Sequence, residues 1–337
     1  MKQYNLCFLG FGKVGRALVR LLQSKSQELK ETYGIAYRIT GIASRTLGWQ
    51  ANNAGFDSQD LLQPAAANSN ALTNIHEWLS HAKPNAVFET TSLQPETGQP
   101  AIDYERASLQ ADAHVITANK GVVVYGFREL NELARSMQRC FLFEASVLDS
   151  APVFSLFRET LPAAKLRAFA GVFSSTTNVI LETMEAGRSF GEGLKSAQEL
   201  GVTETDPAHD IDGWDATMKV CALANVLMNV SLKPADVARC GIRDLTPQQL
   251  QRARSENKPF KLIARARTQP DGTIAASVRP EQIGALDPLA TVRGTSLAIH
   301  FELDMMPGLT ITSHRPNLQS TAYGLLADFI NAVRNQG

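Results

Sequence analysis

Cysteine is scarce in this sequence of 337 residues: there are four, Cys7, Cys140, Cys221 and Cys240, and no C-x-x-C pair. That excludes a zinc ribbon and a redox dithiol, and so few thiols in so long a chain fit a reduced, cytoplasmic protein. Net charge is also lacking, with 33 basic against 33 acidic side chains. A nucleic-acid binder that works through a broad basic field is thereby excluded. There is no uninterrupted apolar run of about 18 residues, so nothing is expected to span a membrane. The short apolar run near the N-terminus is cut by Gly10, Gly12, Lys13 and Arg16, which is not how a secretory signal reads. Internal repeats and low-complexity tracts are absent. What remains is ordinary globular composition, 44% hydrophobic and 20% charged, in a chain long enough for two domains.

The first half alternates strand and helix. Residues 4–9 form a short apolar run without alternation, as in a strand buried on both faces. Residues 13–24 follow with Val14, Leu18 and Leu21 at helical spacing. Further strands are expected at 37–44, 85–91, 114–117 and 140–145, with helices at 101–111 and 127–137. This order predicts an α/β fold, a doubly wound parallel sheet of the Rossmann kind with right-handed crossovers. After about residue 151 the pattern changes. A helix at 154–160, a strand at 168–173 and a long helix after Asp212 precede strands at 260–268, 273–279, 298–303 and 310–313. That mixture predicts an α+β second domain. The expected division is a dinucleotide-binding domain over 1–148, a catalytic and dimerisation domain over 149–313, and a C-terminal helix within 314–337 that packs back on the first.

The first strand runs into Gly10-Phe11-Gly12-Lys13-Val14-Gly15, which opens the first helix. In such a turn the first glycine permits the bend. The second lets backbone approach a pyrophosphate, and the third lets helix pack on strand. The helix N-terminus supplies free N–H groups for the phosphates. Taken alone the hexapeptide says little; placed after a strand and ahead of an amphipathic helix it indicates a bound dinucleotide. The second strand would normally end in an acid that holds the ribose 2′-hydroxyl of NAD. Here it ends Gly41-Ile42-Ala43-Ser44-Arg45-Thr46, without an acid, and Arg45 stands where a 2′-phosphate could be met. NADP is therefore expected over NAD.

Five carboxylates, Glu204, Asp206, Asp210, Asp212 and Asp215, fall within twelve residues. A calcium loop is excluded by its register. With Gly213 at the sixth loop position, the first is Ala208 and the twelfth is Lys219 instead of a glutamate. A loop entering a helix fits better, with Asp212 as N-cap and Asp215 and Lys219 four residues apart on one face. Trp214, Met218, Cys221 and Leu223 make that helix largely buried, and a buried lysine beside a carboxylate is costly and often catalytic. Lys120 follows the apolar strand Val115-Ile116-Thr117, at the carboxyl end where ligands of doubly wound sheets bind.

With these elements the chain resembles the homoserine dehydrogenases over nearly its whole length. The resemblance rests on Gly10–Gly15, Thr117-Ala118-Asn119-Lys120-Gly121 and Ser175-Thr176-Thr177-Asn178-Val179-Ile180-Leu181. It extends to Glu204, Asp206-Pro207, Asp210-Ile211-Asp212-Gly213, Asp215 and Lys219, with Asp287-Pro288-Leu289-Ala290 and Ser320-Thr321-Ala322 later on. It implies reversible, NAD(P)H-dependent reduction of L-aspartate 4-semialdehyde to L-homoserine, a step of threonine and methionine biosynthesis. It also implies that Glu204 and Asp215 hold the substrate's amino group, with Asp210 and Thr177 among the substrate residues. Lys219 and Lys120 would bracket the reacting oxygen, where a forming alkoxide needs a cation or acid. Gly10, Gly12, Lys13, Val14, Gly15, Arg45, Thr91 and Lys120 would bind the cofactor, and Glu144 and Val147 a sodium or potassium ion. A homodimer is implied; with the sequence ending at Gly337, a C-terminal regulatory ACT domain and threonine feedback through it are not expected.

The chain departs from the family's pattern at Val147-Leu148-Asp149-Ser150-Ala151-Pro152, at Ser174-Ser175 and at His314-Arg315-Pro316. Two alternatives stay open on the sequence. One is a sister dehydrogenase for another small amino or hydroxy acid. The other is a catalytically silent NADP-binding protein, which would have no need of Lys120, Asp215 and Lys219.

Overall fold

A computed structural model describes residues 1–63, 72–203 and 206–334. The chain divides into two compact units, Met1–Ser150 with Asn317–Gly337, and Ala151–Pro316. Among the described residues no helix is long and apolar enough to cross a membrane.

The first unit is built on a six-stranded sheet: β1 (Lys2–Leu9), β2 (Ile35–Ser44), β3 (Gly48–Ala51), β4 (Ala86–Glu89), β5 (His114–Thr117) and β6 (Phe141–Leu142). The order is β3-β2-β1-β4-β5-β6, and every pair is parallel except β2 with β3. The sheet is thus not wholly parallel, as expected above, because the three residues after β2 turn the chain into a hairpin. Its helices are α1 (Lys13–Ser24), α2 (Ser26–Tyr33), α3 (Ser58–Leu62), α4 (Ile75–Ala82), α5 (Ala101–Gln110) and α6 (Lys120–Ser136). The strand order reverses between β1 and β4, and the crevice outside the carboxyl ends of those two strands is where such sheets take ligands.

Both faces of this sheet are covered, which is why β1, β4 and β5 read as continuous apolar runs. Leu6, Phe8 and Phe88 meet Leu18, Leu22 and the C-terminal helix Leu318–Arg334 on one side. There Phe329 stands edge-on to Tyr4, with ring centres 5.7 Å apart. Cys7, Leu9 and Val87 meet Trp78, Leu79 and Ala107 on the other.

The second unit carries β7 (Leu166–Val172), β8 (Ala238–Arg239), β9 (Phe260–Thr268), β10 (Ile274–Gln282), β11 (Leu297–Leu303) and β12 (Leu309–Ser313). Their order is β12-β11-β7-β9-β10-β8, antiparallel except where β8 joins β10. The helices are α7 (Ser175–Glu185), α8 (Phe190–Glu199), α9 (Ala208–Ile211), α10 (Trp214–Leu227) and α11 (Pro247–Ser255).

Several expected elements differ: the helix expected at 154–160 is a π-helical turn, Leu156–Thr160, and the strand expected at 85–91 is confined to Ala86–Glu89. The strand at 140–145 shrinks to Phe141–Leu142, because the chain turns at once into a 3-10 turn, Glu144–Ser146, whose first N–H donates to the buried Asp328 carboxylate at 2.8 Å. The helix expected at 127–137 starts seven residues earlier, at Lys120. Asn119 is its N-cap and accepts the Gly121 N–H at 3.0 Å.

Candidate active site

The glycine turn lies at the reversal point of the first sheet. Gly10 has φ +84°, and a Cβ there would meet the Thr90 carbonyl carbon and oxygen at 2.5 Å. Thr90 closes on the same spot: its N–H donates to the Leu9 carbonyl at 2.7 Å and its hydroxyl to the Gly10 carbonyl at 2.7 Å. Gly10 therefore lets the loop after β4 lie directly on the turn after β1. A Cβ on Gly15 would meet the Gly10 carbonyl at 3.0 Å and the Phe8 ring at 3.7 Å, so glycine there lets α1 pack closely on β1. Around Gly12 a Cβ would meet nothing within 4 Å. No side chain caps α1 and no acid occupies its first turn, so its leading N–H groups are turned to an open approach free of negative charge. Lys13 is exposed there and Val14 half-buried. This is the space and polarity that a pyrophosphate requires.

Beyond β2, Arg45 and Thr46 are exposed at the hairpin, while Leu47 N–H donates to the Ser44 hydroxyl at 3.1 Å. Thr91 is tied by its N–H (2.7 Å) and its hydroxyl to one oxygen of Glu89. Lys120 is half-buried at the head of α6. Glu144 and Val147 are buried in and just after the 3-10 turn. The altered stretch from Val147 packs on the C-terminal helix: Asp149 accepts the Thr321 hydroxyl at 2.7 Å.

In the second unit, α10 presents Asp215 and Lys219 together. Lys219 Nζ donates to Asp215 Oδ2 at 2.8 Å and to the Phe173 carbonyl at 2.6 Å. The two side chains are only 20% and 13% exposed. A surface pair at this spacing is worth about 0.3–0.5 kcal/mol. Desolvation makes this pair more than surface decoration, since removing one partner strands the other away from water. The neighbouring residues Met218, Cys221 and Leu223 are buried, whereas Trp214 is not. Instead Trp214 stacks on the Arg239 guanidinium at 3.7 Å.

Asp212 is not the N-cap of α10. That place belongs to Gly213, with φ +78° and no side-chain cap. Asp212 ends α9 and pairs with Arg243, thirty-one residues on, which lowers its carboxyl pKa.

The Phe173 carbonyl that receives Lys219 leads directly into α7. Ser174 caps that helix, accepting the Thr177 N–H at 3.2 Å, and the Ser175 hydroxyl donates to the Thr295 carbonyl at 2.7 Å. The altered Ser174-Ser175 pair thus does the work of a helix start. Thr176 donates to Asp210 Oδ2 at 2.7 Å, or to the Val202 carbonyl at 2.8 Å. The side chain of Thr177 is buried, with its hydroxyl directed to the Ser174 carbonyl at 3.2 Å, so it fixes the turn. Glu204 lies outside the described residues.

Sequence reading missed several contributors. The Phe173 carbonyl and Thr176 carry no type-specific signal for these roles. Lys261, fully buried on β9, donates to Asn178 Oδ1 (2.6 Å) and Glu182 Oε1 (3.3 Å). Glu182 and Asn178 in turn clasp the Gly294 N–H and carbonyl, at 2.9 and 2.6 Å, which anchors α7. Burial pulls the Lys261 ammonium below its ordinary pKa, and Glu182 opposes that shift. The buried acids Glu89 and Glu105 of the first unit were missed as well.

Comparison with known proteins bears on both units. The family profile "Homoserine dehydrogenase" matches residues 152–330, and "Homoserine dehydrogenase, NAD binding domain" matches 10–144. An NAD(+)-dependent homoserine dehydrogenase of Pseudomonas canavaninivorans is 33% identical over 98% of this chain and 96% of its own. A homoserine dehydrogenase of Methanocaldococcus jannaschii is 30% identical over 97% and 98%. Among solved structures, a homoserine dehydrogenase from Thiobacillus denitrificans superposes with a TM-score of 0.85 at 26% identity, covering 100% of this chain and 74% of that one.

Proposed function

The chain belongs to the homoserine dehydrogenase family, and on that premise we propose how its residues interconvert L-aspartate 4-semialdehyde and L-homoserine. The observation that carries the reading is the Lys219–Asp215 pair, 2.8 Å apart on α10 and tied to the Phe173 carbonyl at the entrance to α7.

The dinucleotide fits the first unit, where Gly12 leaves open space before an uncapped, acid-free helix start. Gly10, Gly12, Lys13, Val14 and Gly15 take the pyrophosphate, and Thr91 and Lys120 serve the nicotinamide side. When bound, the cofactor gives hydride to the aldehyde carbon or takes it from the alcohol carbon. Lys219 delivers the proton to the aldehyde oxygen as it becomes the hydroxyl of homoserine, and recovers it in reverse. Asp215 orients Lys219 and, with Glu204 and Asp210, attracts the substrate's ammonium group.

We assign NADP(H) as the preferred cofactor, because the strand end at Ser44-Arg45-Thr46 offers a cation and a hydroxyl and no acid. The Pseudomonas relative bears NAD(+) in its name, so both cofactors belong in the assay. Glu144 and Val147 offer a buried carboxylate and a backbone carbonyl, the hard oxygen donors an alkali cation takes. A homodimer through the second unit's sheet completes the proposal, and light scattering behind size exclusion checks it. The activity is tested by loss of NADPH or NADH absorbance on adding aspartate semialdehyde. No loss with either, in folded protein, contradicts the reading.

A further inference from the structure

Glu89 ends β4 between Leu9 of β1 and Thr117 of β5, with none of its surface exposed. Two loops leave the sheet beside it, Thr90–Thr91 and Ala118–Asn119, and its side chain joins them. One carboxylate oxygen accepts the Thr91 N–H at 2.7 Å and the Thr91 hydroxyl. The other accepts the Thr117 hydroxyl at 2.7 Å. The Thr117 oxygen accepts the Asn119 N–H at 3.0 Å, and Asn119 caps the helix that begins with Lys120. A continuous chain of hydrogen bonds therefore runs from Thr91 through Glu89 to the head of α6.

A second carboxyl comes from α5. Glu105 is fully buried, neither of its oxygens has a hydrogen-bond partner, and it faces Glu89 and Thr117. Asn119 Nδ2 is also buried without a partner, beside Glu89. No ion pair reaches either carboxyl among the described residues. The neighbouring Arg106 turns away to Asp103 and Glu129. Two carboxylates buried together without a cation cannot both ionise, so they hold one proton between them. Glu89 has three donors, which favour its charged form, whereas the one hydroxyl near Glu105, that of Thr117, is already given to Glu89. Burial raises both pKa values, and that of Glu105 goes far above the usual carboxylate range, with Glu89 adding to the rise. Glu105 thus keeps the proton and has Glu89 within reach as acceptor.

The geometry points to Glu89 and Glu105 as a one-proton carboxyl pair that positions Thr91 and Lys120, and so to both acids as positioning residues for hydride transfer. The assignment rests on the site reading above, in which Thr91 and Lys120 serve the nicotinamide side. Such a pair suits its place. A salt bridge there would put a cation into the apolar sheet end, and an apolar core would leave the two loops untied. The neutral acid lets a negative Glu89 hold both loops while only one charge is buried.

The test combines infrared spectroscopy with three variants, Glu105→Gln, Glu105→Leu and Glu89→Gln. At neutral pH the wild type should show the carbonyl stretch of a protonated carboxylic acid, and Glu105→Gln should lose it. Glu89→Gln and Glu105→Leu should each lower kcat by about tenfold, the scale of one charge-assisted hydrogen bond. Glu105→Gln, which keeps a neutral donor against Glu89, should recover most of what Glu105→Leu loses. A purely structural role would lower Tm in these variants without that pattern of loss and rescue in kcat. Absence of the acid band overturns the pair whatever the activity. A band without any change in kcat overturns the positioning role. If Lys120→Ala keeps full activity, the site reading fails and the positioning role falls with it, while the band shows separately whether the pair exists.

Discussion

Lys219 and Asp215 stand one turn apart on α10, with ammonium and carboxylate 2.8 Å from each other and both side chains largely shielded from water. A charge held so firmly can serve a substrate oxygen without first being desolvated or reoriented. Replacing Asp215 by Asn should leave Lys219 near the Phe173 carbonyl but without its counter-charge. The expected result is a fall in kcat/KM for homoserine of about a hundredfold, the scale of a lost charge-assisted contact in a dry site, with cofactor affinity little changed. An equal loss in cofactor binding, measured by NADPH fluorescence, contradicts this division of labour.

Gly10 and Gly12 should fail differently. Gly10→Ala puts a methyl against the Thr90 backbone at a left-handed φ, so it should destabilise the first unit by about 1–3 kcal/mol or more, seen as a lower Tm. Gly12→Ala meets no neighbouring atom and should leave Tm unchanged while weakening NADPH binding. The same Tm loss in both variants would remove the distinction.

Arg45→Ala should raise the KM for NADPH by about tenfold and leave that for NADH unchanged, since only the former has a 2′-phosphate to pair with. Steady-state kinetics with both cofactors decide it, and an equal effect on the two excludes the assigned contact.

Glu105→Gln makes a prediction in pH. Glu105 has a raised folded pKa, so the folded chain keeps a proton that the unfolded chain gives up above about pH 4.3. Its contribution to stability is full below that pH and falls as pH rises toward the folded pKa. Glutamine has no proton to release. The Tm of Glu105→Gln relative to wild type should therefore climb between pH 5 and pH 8. A constant difference across that range contradicts a protonated Glu105.

Much of this architecture was legible because it rests on local patterns. Helix Lys13–Ser24 and strands His114–Thr117 and Phe260–Thr268 have the limits that their apolar spacing suggests. Long-range partners account for what was not legible. The strand expected at 140–145 is cut short by Asp328, far along the chain, and Asp212 is drawn from its expected cap by Arg243. The glycines and lysines of the proposed site stand out in the sequence by their spacing, whereas a backbone carbonyl such as that of Phe173 has no signature. Glu89 and Glu105 did leave a trace. Glu89 closes an otherwise apolar strand, and Glu105 falls on the buried stripe of α5 with Ile102 and Leu109, where an acid has no ordinary reason to be.

The central claim is that Lys219 carries the proton of a homoserine dehydrogenase reaction. The direct measurement is aspartate-semialdehyde-dependent oxidation of NADPH by the wild type and by Lys219→Ala, with NADPH affinity measured on both. The account predicts turnover in the wild type, a fall in kcat of about a hundredfold or more in the variant, and NADPH affinity within about twofold. A Lys219→Ala enzyme that turns over like the wild type would contradict it.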